Sequence, residues 1–184
     1  MDEQTAIQRL KRGDIGGLEF LVGQHQLKAV RTAYLITHNP ALAEDVVQDC
    51  FLQAYRAIGG FVAGRPFEPW FLQVGVRAAV KSAQKAERLV PVESGADEPD
   101  GERLLGWAES AEAEAEAAMF QQEVWEAVRR LSPRQRAVVV QHYFLDMSAK
   151  DIAGQNGTAV GTVKWLLNAA RSRLRTWLRG RSVA

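Results

Sequence analysis

Cysteine, histidine and proline are scarce in this chain: one, three and six among 184 residues. A single cysteine, Cys50, excludes an internal disulfide framework. Together with only three scattered histidines, His25, His38 and His142, it argues against a structural zinc site. No apolar run approaches the roughly 20 residues that span a bilayer. The opening residues, MDEQTAIQRLKRGD, lack the apolar stretch of a signal peptide. The expectation is a soluble, cytoplasmic protein with no membrane insertion. Sustained alternation of apolar and polar residues is missing, so no strand is expected. A P-loop, a metal-ligand cluster and a nucleophile–base pattern are all missing too, which points away from an enzyme and calls for no cofactor or metal.

What is present is a large apolar fraction, 47%, enough for a core and too much for a disordered chain. Net charge is only +1, but it is unevenly spread. Residues 1–88 carry a net +2, residues 89–123 a net −9 and residues 124–184 a net +8. An acidic middle followed by a strongly basic end suggests a nucleic acid partner.

Apolar periodicity and start and stop signals predict an all-α protein. Helices are expected over 3–11, 18–37, 40–58, 68–88, 111–131, 133–145, 148–155 and 159–179. Gly59–Pro69, with three glycines and two prolines, reads as a loop. The stretch 90–101 combines two prolines, two glycines and four acidic residues and reads as a linker. The expected organisation is therefore two small helical domains, 1–88 and 119–184, joined by a flexible acidic linker over 89–118.

In the second domain Ser148, followed by Asp151, suits a helix cap, and Asn156-Gly157 signals a tight turn. Thr158 is a candidate cap for the longer helix beyond it. Short helix, glycine turn and longer helix form a helix-turn-helix pattern. Val160, Val163, Leu167, Ala170 and Leu174, at spacings of 3, 4, 3 and 4, form one apolar stripe. The other face carries Gly161, Thr162, Lys164, Trp165, Asn168, Arg171 and Arg175, groups able to donate to phosphates and base edges. The competing reading of this face is a solvated basic helix. Trp165 either touches DNA or packs on a neighbouring helix.

Leu131–Val139 (LSPRQRAVV) and Ala159–Lys164 (AVGTVK) resemble the fourth conserved region of bacterial RNA polymerase sigma factors of the extracytoplasmic-function (ECF) group. Ala43–Tyr55 (AEDVVQDCFLQAY), continuing through Phe61, Phe67 and Trp70, is similar to the second conserved region of the same group. The resemblance covers most of the chain outside the acidic segment. It implies a sigma region 2 bundle over 1–88 and a region 4 helix-turn-helix over 119–184. It further implies core RNA polymerase and promoter DNA as partners, with an anti-sigma factor as a third.

On that resemblance, Glu44, Asp45, Gln48 and Asp49 form the face that docks on polymerase, against the alternative of a solvated helix face. Thr158, Gly161, Thr162, Lys164, Trp165, Asn168 and Arg171 would read the upstream (−35) promoter element. Phe61, Arg65, Phe67, Trp70, Gln73, Arg77 and Lys81 would melt the downstream (−10) element. Separating strands requires cationic groups and aromatic platforms for unstacked bases, which this loop and helix supply. Alternatively, Phe67, Trp70 and Phe71 pin the loop to the helices beneath. Lys85 and Arg88 continue the basic face of Arg77 and Lys81 and suit phosphate contact. The chain departs from the family pattern at Arg65-Pro66, Gln73, Arg77, Thr158-Ala159 and Trp165-Leu166, so no promoter consensus carries over. The acidic linker either mimics a nucleic acid strand in a basic channel or is a solvated tether. The competing function is a helix-turn-helix regulator with a sensory N-terminal domain, acting without polymerase.

Overall fold

Asp2 and Asn39 each open a helix in the same way: a short polar side chain accepts a first-turn amide that has no intrahelical acceptor. In a computed structural model of the chain, Asp2 accepts from the Thr5 amide at 2.7 Å and Asn39 from the Leu42 amide at 2.8 Å. The structure describes residues 1–62, 64–89 and 115–181, with side chains of 115–121, 180 and 181 left aside. Every regular element among the described residues is helical. The chain divides into two compact units, Met1–Ser82 and Ala83–Ala184. No described helix is long and apolar enough to cross a membrane.

The first unit holds α1 (Glu3–Lys11), α2 (Gly16–Thr37), α3 (Pro40–Ala57) and most of α4 (Phe67–Leu89). Helix α2 ends at His38, whose left-handed backbone (φ 53°) lets its amide close on the Tyr34 carbonyl at 2.8 Å. Pro40 then occupies the first turn of α3, where its missing N–H costs nothing. Ile7, Leu21, Ile36, Val47, Cys50, Phe67 and Phe71 are essentially fully buried. Each large apolar side chain so buried contributes about 1.5–3 kcal/mol. Helix α1 approaches α2 closely at Gly17, where a Cβ would stand 2.3 Å from the Ala6 carbonyl oxygen.

Two expectations shift here. The loop is shorter than Gly59–Pro69: a single 3-10 turn, Ile58–Gly60, follows α3, and α4 begins at Phe67. Glu68 and Pro69 sit in the first turn of α4, where an acidic side chain and a proline are both favoured.

The second unit contains α5 (Ala115–Arg129), α6 (Pro133–Val139), α7 (Ala149–Asn156) and α8 (Val160–Arg181). Helix α8 packs against the other three. Val138, Ile152, Ala153, Val163 and Leu167 form the core. Ser132 and Gln135 form a reciprocal capping box on α6, and Arg173 from α8 donates to the same Gln135 oxygen at 3.0 Å. The expected single helix over 133–145 is interrupted. After Val139 the chain widens into a π turn, Val140–Phe144, with the Leu145 amide donating to the Val140 carbonyl. Gln141, fully buried in that turn, exchanges two hydrogen bonds with Asn156, at 3.2 and 2.9 Å. Most of the acidic segment 89–118, and residues 111–114 of the expected helix 111–131, lie outside the described residues.

Candidate nucleic-acid interface

The helix-turn-helix is built by α7, the turn and α8. The Ser148 hydroxyl oxygen accepts from the Asp151 amide at 3.2 Å, and its O–H donates to the Asp151 carboxylate at 2.5 Å. Gly157 takes a left-handed conformation, φ 62°, which glycine adopts without steric cost. Thr158, the expected cap, stands one residue ahead of the observed cap position, Ala159, because α8 begins at Val160, and its amide donates to the Ala153 carbonyl at 3.0 Å.

The stripe Val163, Leu167 and Ala170 is buried and Leu174 is half-buried. Val160 is the exception at 37% exposed, because the first turn of α8 runs ahead of the core. Thr158, Gly161, Thr162, Lys164, Trp165, Asn168 and Arg171 are all exposed. Trp165 is 66% exposed, so the packing alternative for it falls. One partner escaped the sequence reading. Tyr143, in the π turn, accepts a hydrogen bond from Arg171 Nε at 2.9 Å, with the guanidinium 5.7 Å from its ring centroid. The two residues are 28 apart in sequence, and no local spacing rule pairs them.

In the first unit the aromatic residues separate from the cationic ones. Phe67 is fully buried and Phe61 is 7% exposed. Phe67 stacks on Phe71 at 5.3 Å, Phe71 meets Phe51 at 4.3 Å, and half-buried Trp70 lies edge-on to Phe61 at 5.1 Å. Phe61 and Phe67 therefore do not stand in this structure as open platforms for bases. They are the inner wall that carries the loop, because exposing rings of this size would forfeit their burial. What the loop exposes is Val62, Gly64, Arg65 and Pro66. Arg77, Lys81, Lys85 and Arg88 are exposed on α4, and Gln73 is half-buried.

The loop is fastened by polar groups that the sequence reading did not single out. Lys11 Nζ donates to the Phe61 carbonyl at 2.5 Å. The Gly64 amide donates to Gln4 Oε1 at 3.1 Å, and Gln4 Nε2 donates to the Arg65 carbonyl at 3.2 Å. Glu3 Oε1 accepts from the Phe67 amide at 2.9 Å, while its Oε2 lies 3.0 Å from His25 Nε2. His25 is buried against the Phe67 ring, and its Nδ1 is 3.5 Å from Glu68. Burial pushes the Glu68 carboxyl up, but its hydrogen bond with Lys28 and the charges of Lys28 and His25 outweigh this and hold it below the ordinary range.

Helix α3 turns Val46, Val47, Cys50 and Phe51 inward and Glu44, Asp45, Gln48 and Asp49 outward. Burial, with the Asp49 charge beside it, pushes the Cys50 thiol up to about 11, so it is a neutral core group at physiological pH. Beside the acidic face lies an open groove lined by Val22, Gln26, Val30, Val47, Phe51 and Leu52, with Glu44 and Gln48 on its rim. Its α2 residues were not foreseen, because only packing α2 on α3 brings the two stripes together. Among the described residues no group of three or more histidine, cysteine or acidic side chains could hold a metal ion.

The Sigma-70 region 2 family matches residues 21–89, and the Sigma-70, region 4 family matches residues 121–174. The chain is 30% identical over 161 residues to the ECF RNA polymerase sigma factor SigL of Mycobacterium tuberculosis, covering 86% of each. It is 28% identical over 177 residues to the RNA polymerase sigma-H factor of Pseudomonas aeruginosa, covering 94% of this chain and 91% of that one. Its fold matches that of the sigma factor RpoE of Bartonella quintana, solved in complex with the anti-sigma factor NepR. That match has a TM-score of 0.61 and 26% identity, covering 83% of this chain and 91% of that one. The chain belongs to the ECF sigma factors. It is a transcription initiation factor that works with RNA polymerase at promoter DNA, which decides against the polymerase-independent regulator.

Proposed function

We propose that the chain is organised as a region 2 domain over 1–88, an acidic linker over 89–118 and a region 4 domain over 119–184. Glu44, Asp45, Gln48 and Asp49, with the apolar groove beside them, dock on core polymerase. The α8 face of Thr158, Gly161, Thr162, Lys164, Trp165, Asn168 and Arg171 reads the upstream promoter element. Arg65, Trp70, Gln73, Arg77 and Lys81 engage and open the downstream element, on a loop whose shape is set by Phe61 and Phe67. The polymerase supplies the chemistry, and this chain supplies promoter choice from the cytoplasm. An anti-sigma factor holds it inactive, by analogy with the RpoE–NepR complex.

The observation that carries the reading is the outward face of α8. It presents lysine, asparagine, arginine and an exposed tryptophan beyond a left-handed glycine turn, backed by a buried apolar stripe. Run-off transcription with core polymerase over a genomic promoter library tests it. Selective transcripts that require the chain are expected, with only weak duplex binding by the chain alone. Selective binding without polymerase, and no transcript with it, would overturn the proposal.

A further inference from the structure

Helix α1 presents three polar side chains to one stretch of backbone. Glu3, Gln4 and Lys11 recur at spacings that fall on one side of a helix. Between them they bind four backbone groups from Phe61 to Phe67. Gln4 stands apart, because its amide both accepts from Gly64 and donates to Arg65, as a neighbouring strand would. The grip is firm because Ala6, Ile7 and Leu10 anchor α1 in the core. Gly64 has φ 82°, a conformation that favours glycine, and across it the Arg65 amide makes a long turn bond of 3.3 Å to the Val62 carbonyl. The Arg65 side chain points to solvent while its carbonyl is held from behind.

We infer that Gln4 is a positioning residue for promoter opening: it fixes the backbone of Gly64 and Arg65 so that the Arg65 guanidinium meets the downstream element preorganised. This rests on the proposal that the loop engages that element. Without Gln4 the loop would have to be ordered during opening, so the cost falls on the opening step and not on polymerase binding.

The test compares Gln4→Ala, Arg65→Ala and the double variant, each as full chain with core polymerase. Opening is followed by fluorescence of a base analogue in the downstream element, on duplex and on pre-melted template. Gln4→Ala should slow opening of duplex about ten-fold, the effect of losing two modest hydrogen bonds. On pre-melted template and in core affinity it should stay close to the parent. In the Arg65→Ala background it should add little, since its effect runs through Arg65. Parental opening by Gln4→Ala, or full additivity in the double variant, overturns the inference. If Arg65→Ala itself opens duplex normally, the loop proposal fails and takes the Gln4 inference with it. If Arg65→Ala is slow and Gln4→Ala is not, only the inference about Gln4 falls.

Discussion

Arg171 shows how a residue expected to be a simple phosphate contact acquires a more defined task. Its Nε is committed to Tyr143, and the ring lies beneath the guanidinium. A hydrogen bond and a ring contact together restrain the orientation of a planar guanidinium. Asn168, one turn earlier, is exposed. Arg171→Ala should weaken binding to all upstream sequences about equally and flatten the salt dependence by about one phosphate contact. Substituting Asn168 should instead change which base is preferred, by about 1–3 kcal/mol. A promoter-library selection with both variants at two salt concentrations separates them, and identical profiles would mean that α8 does not read bases. The polar face of α8 was legible because helical periodicity alone sorts it. Tyr143 was not, since a pairing across 28 residues depends on the fold. Phe61 and Phe67 show the opposite failure: aromatics in a glycine-rich loop look available in sequence, but burial claims them first.

Elements were more legible than their joins. Helix α1 has the expected bounds, and α2 and α3 lie within two residues of them, because Gly13, Asn39-Pro40 and Gly59-Gly60 are local stop signals that need no tertiary context. The π turn at Val140–Phe144 was hidden, because it goes with a pairing of Gln141 and Asn156, 15 residues apart, that no local signal announces. The closeness of α1 to α2 was hidden as well. Gly17 reads as an ordinary glycine near a helix start, yet a Cβ there would meet the backbone of Ala6 and Leu10. Backbone cannot swing aside as a side chain can, so Gly17→Ala should destabilise the chain by about 1–3 kcal/mol in urea unfolding. Gly23, in the same helix, has nothing within 4 Å of a would-be Cβ. Gly23→Ala should therefore stabilise by about 0.5–1 kcal/mol. Since α1 also holds the loop, Gly17→Ala should slow promoter opening more than it weakens polymerase binding. Equal stability of the two variants would show that α1 is not packed as described.

Across the whole molecule the decisive quantity is how charge is partitioned, not its sum. A net +1 offers DNA little long-range attraction, yet residues 124–184 alone carry +8. The −9 of residues 89–123 directly precedes that basic segment in the chain, and such charges are expected to offset each other only at separations up to a Debye length, about 10 Å at moderate salt. This arrangement suits a factor that must not occupy DNA before it meets polymerase. If the acidic segment restrains the basic end, attraction to DNA should rise when that segment is neutralised or engaged elsewhere. Replacing the acidic residues between Glu93 and Glu116 by their amides should strengthen duplex binding by the isolated chain. The gain should be about ten-fold near 50 mM salt and should largely vanish near 200 mM, because it is electrostatic. It should strengthen binding to promoter and to random duplex by about the same factor, since phosphate attraction carries no sequence information. Fluorescence anisotropy with both duplexes at the two salt concentrations reads all three effects. An unchanged affinity would mean that the acidic segment does not restrain the basic end, and that the weak duplex binding expected of the free chain has its origin in α8 itself.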